Sequence, residues 1–386
     1  MLDGGAAMVD RLSGVLSIAV CSATAATVAP ASWAPGDSVG SPTPEHPAIH
    51  DNGHSVLDLE IVIPTLGRPA QLARALTRLE RQPSATGRFG VIVVTDPAAG
   101  ETDAAGRAIG ARPYPVKLVV RDRPGASAAR NAGWRSATAP LVLFLNDDVL
   151  ATPNLIATHL AAHAGEPEVE AGVLGHVRWA RWPPPSGFMR WLEQGLQFDY
   201  GPLTPGAEAP WWHFYTANAS VKRELLERVG GFDDEGFPFL YEDLDLAARM
   251  AEHGFRLRYV PAALAVHVHR QNLADWQLRV AEIAPAERRF CARHPAASPY
   301  FHNLFLAAAE HPPARGRGAR LARFVPRRIP WLGPRVWASF DMRNRQALAG
   351  AFLTAWDQSL RRDAVPCSPP ATGASPGAPA GGTARA

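Results

Sequence analysis

The chain has 386 residues, 47% of them hydrophobic, and a formal net charge of only +3. That length holds one large domain with appendages or two domains, and the near-neutral balance gives no signature of nucleic-acid binding. Cys21, Cys291 and Cys367 lie too far apart for a metal motif or a disulfide framework, and no stretch reaches the roughly 18 apolar residues of a membrane-spanning helix.

Residues 1–56 are rich in Ala, Pro, Ser and Gly. Such a segment buries too little apolar area to offset chain entropy, so it is expected to be a disordered leader. Its run LSGVLSIAV, after Arg11, has the outline of a signal h-region. A disordered leader or a start assigned too far upstream fits the run equally well.

Ordered sequence begins at Leu57. LEIVI (Leu59–Ile63) reads as a strand, and Pro64-Thr65-Leu66-Gly67-Arg68-Pro69 as the turn after it. Leu72, Ala75, Leu76 and Leu79 recur at helical spacing. Two more strands follow, Val91–Val94 and Lys117–Val120, and then a helix over Ala126–Ala137. The next run, LVLFLNDDVL (Leu141–Leu150), reads as a fully buried strand carrying Asn146, Asp147 and Asp148. Strands alternating with helices imply parallel pairing. Polar residues collect just after successive strands: Thr65 and Arg68, then Asp96, Arg121 to Arg123, and Asp147 with Asp148. In open α/β sheets that edge forms the ligand crevice. No Gly-rich phosphate loop is present, so a divalent cation with arginine is the remaining way to meet phosphate charge. The alternative reading of the two aspartates is a turn cap.

After Pro153 a helix around Leu155–Leu160 precedes a strand, Gly172–Trp179. Residues 181–215 concentrate aromatic side chains, among them Trp211 and Trp212. Aromatic faces suit sugar rings, and they suit ordinary packing as well. A strand end enters a helix over Ser220–Val229, stopped by Gly230-Gly231. A polar, aromatic loop leads to a helix beginning at Asp243, with Leu244, Ala247, Ala248 and Ala251 as its buried stripe. RLRYV and LAVHV read as two last strands, with His267 and His269 on one face. Asp245 and Arg249 form an i,i+4 pair on paper. Glu242 and Asp243, after the aromatic loop, are candidates to take a proton from an attacking hydroxyl.

Taken together, IVIPTLGRP (Ile61–Pro69), RPGASAARNAG (Arg123–Gly133), FLNDDV (Phe144–Val149), TANASVKRELLERVGGFDD (Thr216–Asp234), YEDLDLAARM (Tyr241–Met250) and HVH (His267–His269) resemble a family 2 glycosyltransferase. The motifs occur in the family's order across about Leu57 to Arg270. The resemblance implies a GT-A fold, α/β with a Rossmann-like, mostly parallel central sheet flanked by helices. It implies an inverting enzyme that uses a nucleotide-diphospho-sugar and a divalent metal, Mg²⁺ or Mn²⁺. Carried over by position, Asp243 matches the catalytic base and Glu242 sits beside it. Pro64, Thr65, Arg68, Asp96, Arg130 and Asn131 match the nucleotide end of the site. Asp147, a reserve metal ligand, Asn218, and Trp212 of the aromatic cluster join them as candidate substrate contacts. Asp148, Asn146 and one of His267 and His269 fall in the metal set. Asn146 stands where the family's metal motif has its first carboxylate, which places the weight of metal binding on Asp148. VVTDPAAG lacks the family's usual acidic pair, which weakens Asp96 as a nucleotide ligand.

The resemblance assigns 57–270 to the glycosyltransferase domain. Beyond it the pattern reads as a helical C-terminal extension over 271–361, with a helix from Leu273 broken at Pro285, and the Pro/Ala/Gly-rich composition as a disordered tail over 362–386. The extension holds seven arginines between Arg315 and Arg335 and no acid there. That stretch is a candidate peripheral membrane contact or a site for a lipid-diphosphate acceptor, or else a solvated extension. The acceptor is expected to be a saccharide or lipid-linked, and the location cytoplasmic, at the inner face of a membrane if the basic stretch docks. A nucleotidyltransferase making sugar nucleotides, or a non-catalytic sugar-binding module on the same fold, are the competing functions.

Overall fold

The computed structural model describes residues 57–95, 100–121, 123–313, 329 and 332–364. The expected leader, nearly all of the tail, Asp96 and most of the stretch 315–335 lie outside them.

A nine-stranded sheet forms the centre. In its first half, β1 (Leu59–Pro64), β2 (Phe89–Thr95), β3 (Val116–Val120) and β4 (Leu141–Leu145) are parallel, in the spatial order β3-β2-β1-β4. Every residue of β2 and β4 is buried. β2 and β4 are almost wholly apolar because helices cover both of their faces. One face carries α1 (Pro69–Leu79), α2 (Glu101–Ile109) and α4 (Leu155–Ala164), through side chains such as Leu72, Ala105 and Leu160. The other carries α3 (Ala126–Arg135), with α6 (Arg223–Val229) and α7 (Glu242–Glu252). A Cβ at Gly133 of α3 would lie 2.3 Å from Val62 Cγ1, so this helix approaches β1 closer than any side chain allows.

Beyond β4 the sheet becomes mixed. β8 (Asn218–Lys222) runs antiparallel to β4, and the order continues through β6 (Ala171–Trp179), β9 (Arg256–His267) and β5 (Val149–Ala151). The short β7 (Glu208–Ala209) also pairs with β9. The run Leu141–Leu150 is thus two strands in different places. The Asn146-Asp147-Asp148 turn carries the chain from the middle of the sheet to its far edge.

Three other expectations change. RLRYV and LAVHV are one strand, β9, which stays paired with β6 across a register shift between Gly175 and His176. His269 lies past the end of that strand, so alternation does not govern it. Pro285 does not break the helix: α8 runs from Leu273 to Arg293 with the proline inside. Ile283, Ala284, Ala286 and Glu287 are buried around it, and this packing offsets the lost backbone bond. α8 packs with α9 (Tyr300–Glu310), α10 (Leu332–Ala364) and α5 (Gly187–Leu192) in a separate core built on Trp191, Trp276, Phe305 and Phe352. No helix among the described residues is long and apolar enough to cross a membrane.

Candidate active site

Of the polar groups expected at the strand ends, Thr65, Arg68, Asp147 and Asp148 meet, while Arg121 and Arg123 bond elsewhere, to Gly125 O and to Asp234 and Glu235. At the end of β1, Thr65 Oγ1 donates to Asp147 Oδ2 at 2.8 Å. Arg68, one turn further, reaches both aspartates, with Nη2 2.7 Å from Asp147 Oδ1 and Nη1 3.1 Å from Asp148 Oδ2. Asp147 is fully buried, and burial pushes its carboxyl up to about 6 against the opposing charge of Arg68. Asp148 stays below the ordinary carboxylate range. Burial works to raise it, but a hydrogen bond and charge from His267, with Arg68 beside them, prevail.

His267, at the end of β9, brings Nε2 to 3.4 Å from Asp148 Oδ1. Its ring lies 4.8 Å from the Trp179 indole, which fixes its plane. The register that pairs Val149 with His267 joins these two residues although they are far apart in sequence. His269 is exposed. Asn146 turns its side chain the other way, accepting from Arg130 Nη2 at 3.4 Å. Among the described residues, no group of three or more His, Cys, Asp or Glu forms a metal cage. Asp148 and His267 do fit a shared cation. Asp148 Oδ1 is buried without a hydrogen-bond partner of good geometry, and hard cations are commonly held by one or two carboxylates with substrate phosphates completing the shell.

Arg130 connects this turn to the acidic pair. It is buried, and its Nη1 lies 2.9 Å from Glu242 Oε1 at the start of α7. Asp243 follows, with the Leu244 N–H donating to its Oδ1 at 3.0 Å. Burial raises the Asp243 carboxyl to about 7; the Glu242 charge adds to the rise, and Arg130 opposes it. A carboxylate held near neutrality is suited to proton transfer at physiological pH. The backbone that delivers the pair is strained: Leu240 and Tyr241 have φ of 63° and 65°, in the left-handed region. Tyr241 is held there by a 2.7 Å hydrogen bond from its hydroxyl to the buried Glu287 of α8.

Asp243 opens onto a cavity of about 290 Å³ between the sheet domain and the C-terminal helices, where Trp212 and Tyr215 face Trp276, Arg279 and Tyr300. Trp212 therefore lines the same cavity as Asp243. Two other expected residues do not. Asn131 is buried and holds the chain beyond α6: its amide donates to Phe232 O at 2.8 Å, and its carbonyl accepts from Phe232 N and Trp134 Nε1. Asn218, the first residue of β8, is wholly buried, accepting from His159 Nε2 at 3.0 Å and donating to Ala263 O at 2.8 Å. Pro64 is half-buried at the end of β1, and Asp96 lies outside the described residues. Asp245 is spent on Arg249 and His294, a structural role. Sequence reading missed Trp276 and Arg279 as site residues. Their i,i+3 spacing on α8 is the signal that places both on one face.

The chain belongs to the glycosyltransferase-like family 2, whose family model matches residues 58–281. It is 30% identical to a validoxylamine A glucosyltransferase of Streptomyces hygroscopicus subsp. jinggangensis over 278 residues, 62% of each chain. It is 29% identical to a pre-mycofactocin glycosyltransferase of Mycobacterium tuberculosis, over 63% of this chain and 50% of that one. The matches thus span roughly half to three-fifths of these relatives' lengths. In fold the chain is similar to the mannosyltransferase PcManGT of Pyrobaculum calidifontis, solved with GDP-Man and Mn²⁺. The TM-score is 0.50 at 20% identity, covering 79% of this chain and 87% of that one. The architecture is of the GT-A type.

Proposed function

We propose that the protein is an inverting, non-processive glycosyltransferase that moves a sugar from a nucleotide-diphospho-sugar to an acceptor hydroxyl. The observation that carries this reading is the pairing of two acidic sites through one buried arginine. Asp147 and Asp148 lie at the crevice of the parallel half-sheet. Across Arg130, Asp243 faces an aromatic cavity. The names of the relatives, a glucosyltransferase and a glycosyltransferase, agree with it. So do the GDP-Man and Mn²⁺ held by the mannosyltransferase that shares the fold.

In this mechanism Asp243 removes the acceptor's proton as its oxygen attacks the anomeric carbon. The bond from that carbon to the diphosphate breaks in the same displacement, and the configuration inverts. Arg130 holds Glu242 in place beside the base. Asp148 and His267 would hold a divalent ion, with Asn146 at the margin of that site. When bound, the ion supplies charge neutralisation for the leaving diphosphate. Arg68, which bridges both aspartates, is within reach of the same charge and supports donor binding.

The test is a panel of UDP-, GDP- and dTDP-sugars offered with Mn²⁺ or with EDTA, following donor hydrolysis and transfer by NMR. Metal-stimulated release of the nucleoside diphosphate with an inverted anomer supports the proposal. Retention of configuration removes the single-displacement mechanism. Binding without any turnover favours a sugar-binding module, and pyrophosphate-dependent synthesis of a sugar nucleotide favours a nucleotidyltransferase.

A further inference from the structure

Asp243 is carried by a turn that the C-terminal helices hold from outside. The turn opens with Leu240 and Tyr241, whose left-handed φ values are ones that residues with a Cβ rarely adopt. Such a pair persists only where its surroundings over-determine it. Here the surroundings are one side of α8 and its end. Glu287, Phe290 and His294 follow one another at spacings of three and four residues, which places them along a single helix face. Each of them meets the stretch Tyr241–Asp245. Glu287 Oε1 accepts from the Tyr241 hydroxyl at 2.7 Å. The Phe290 ring lies 5.2 Å from the Tyr241 ring. His294 Nε2 lies 3.0 Å from Asp245 Oδ1. Asp243 falls midway between the two held residues, Tyr241 and Asp245.

Glu287 ties the most together. It is 1% exposed, and its carboxylate accepts from two further donors, Phe301 N at 2.7 Å and His302 N at 2.8 Å. Those N–H groups open α9, where Pro299 at the N-cap supplies no side-chain bond. The first turn of a helix has no intrahelical partners for its N–H groups, and its positive end favours an anion. One carboxylate on α8 therefore caps α9 and fixes the residue that starts α7. An apolar side chain at 287 would serve packing alone, without the cost of burying a carboxylate. Glu287 borders the cavity beside Asp243, but its oxygens are spent on these three donors. What it gives the site is geometry rather than a ligand contact. Glu287, Phe290 and His294 all lie beyond residue 281, where the family match ends.

We propose that Glu287, acting through Tyr241, is a positioning residue for the general base: this face of α8 fixes the turn that aims Asp243, and donor binding at the strand-end crevice does not depend on it. The proposal rests on the glycosyltransferase reading above and adds to it the part of the chain that sets the base.

The experiment uses the full chain and whichever UDP-, GDP- or dTDP-sugar the wild type hydrolyses, with water as the acceptor. Tyr241→Phe keeps the ring against Phe290 and loses the hydroxyl. Glu287→Met keeps the bulk and loses the acceptor oxygens. Each should lower kcat about 10- to 100-fold. The donor KM, and the Kd of the matching nucleoside diphosphate with Mn²⁺, should stay within twofold of wild type. Both substitutions remove one shared bond, so the double variant should be no slower than the slower single one. Phe352→Leu, in the C-terminal core away from the turn, is the control: it should lower Tm and leave kcat within twofold. If Glu287→Met does not fold, Tyr241→Phe, which lacks one hydroxyl, decides alone. Unchanged kcat in the folded variants, multiplied losses in the double variant, or an equal loss in Phe352→Leu overturns the proposal. So does a fall in nucleotide affinity that matches the fall in kcat. Wild-type turnover keeps the glycosyltransferase reading standing in all those cases, whereas absence of any wild-type turnover removes both proposals together.

Discussion

The two acidic ends of the site are built on opposite plans. At the strand-end crevice nearly every charge already has a protein partner: Arg68 spans Asp147 and Asp148, Thr65 holds Asp147, and His267 approaches Asp148. At the cavity by Asp243 the reverse holds: the wall is largely aromatic and apolar, and its Arg279 makes no ion pair among the described residues. The first plan suits a ligand that brings its own charge and counter-ion, exchanging one set of ion pairs for another. The second suits a neutral ligand that packs against aromatic faces beside the Asp243 carboxyl. Arg130, buried between Asn146 and Glu242, is the one side chain among the described residues that touches both ends.

That comparison breaks most sharply at Arg130. Arg130→Met leaves Glu242 as a buried, unpaired carboxylate, which should cost about 3–5 kcal/mol of stability in urea unfolding. A loss under about 1 kcal/mol would mean the pair does not join the two ends. The pH profile separates the ends next. Asp243 acts as its unprotonated form, and its carboxyl is raised to about 7. Log kcat/KM should therefore climb with pH below 7, about tenfold per unit, and level above it; a profile flat from pH 5 to 8 would remove Asp243 as the base. A smaller effect is expected where a predicted ligand proved structural. Asn131→Ala leaves the Phe232 N–H and Trp134 Nε1 without their acceptor, costing about 1–3 kcal/mol in thermal unfolding, with nucleotide affinity unchanged in the folded fraction. The smallest is Thr65→Val, which removes one donor from Asp147 and should weaken nucleotide binding by about 1 kcal/mol or less in calorimetry.

Much of this arrangement is legible in the residues. The apolar runs of β1, β2 and β4 mark buried parallel strands, and the polar groups after them mark the crevice. Glu242 and Asp243 stand out because two carboxylates follow an aromatic loop. What stays hidden is where side chains point. Asn131 and Asn218 sit inside recognisable motifs, yet their amides turn into the protein, one to Phe232 and one to His159. Motif spacing encodes position along the chain, not the direction of a side chain. The cavity is hidden for another reason. Its walls come from the neighbourhoods of Trp212, Asp243, Trp276 and Tyr300, segments that only tertiary packing brings together. The two runs RLRYV and LAVHV join into the single strand β9 because pairing with β6 continues across the register shift.

The central claim is a division of labour, with donor binding at Asp148 and acceptor activation at Asp243. Measuring nucleoside-diphosphate affinity with Mn²⁺, and kcat, on Asp148→Asn and Asp243→Asn side by side tests it most directly. Asp148→Asn should lose metal-dependent nucleotide affinity. Asp243→Asn should retain that affinity and lose about 10²–10⁴-fold in kcat. Wild-type turnover in Asp243→Asn, or equal loss of nucleotide affinity in both variants, would contradict the division.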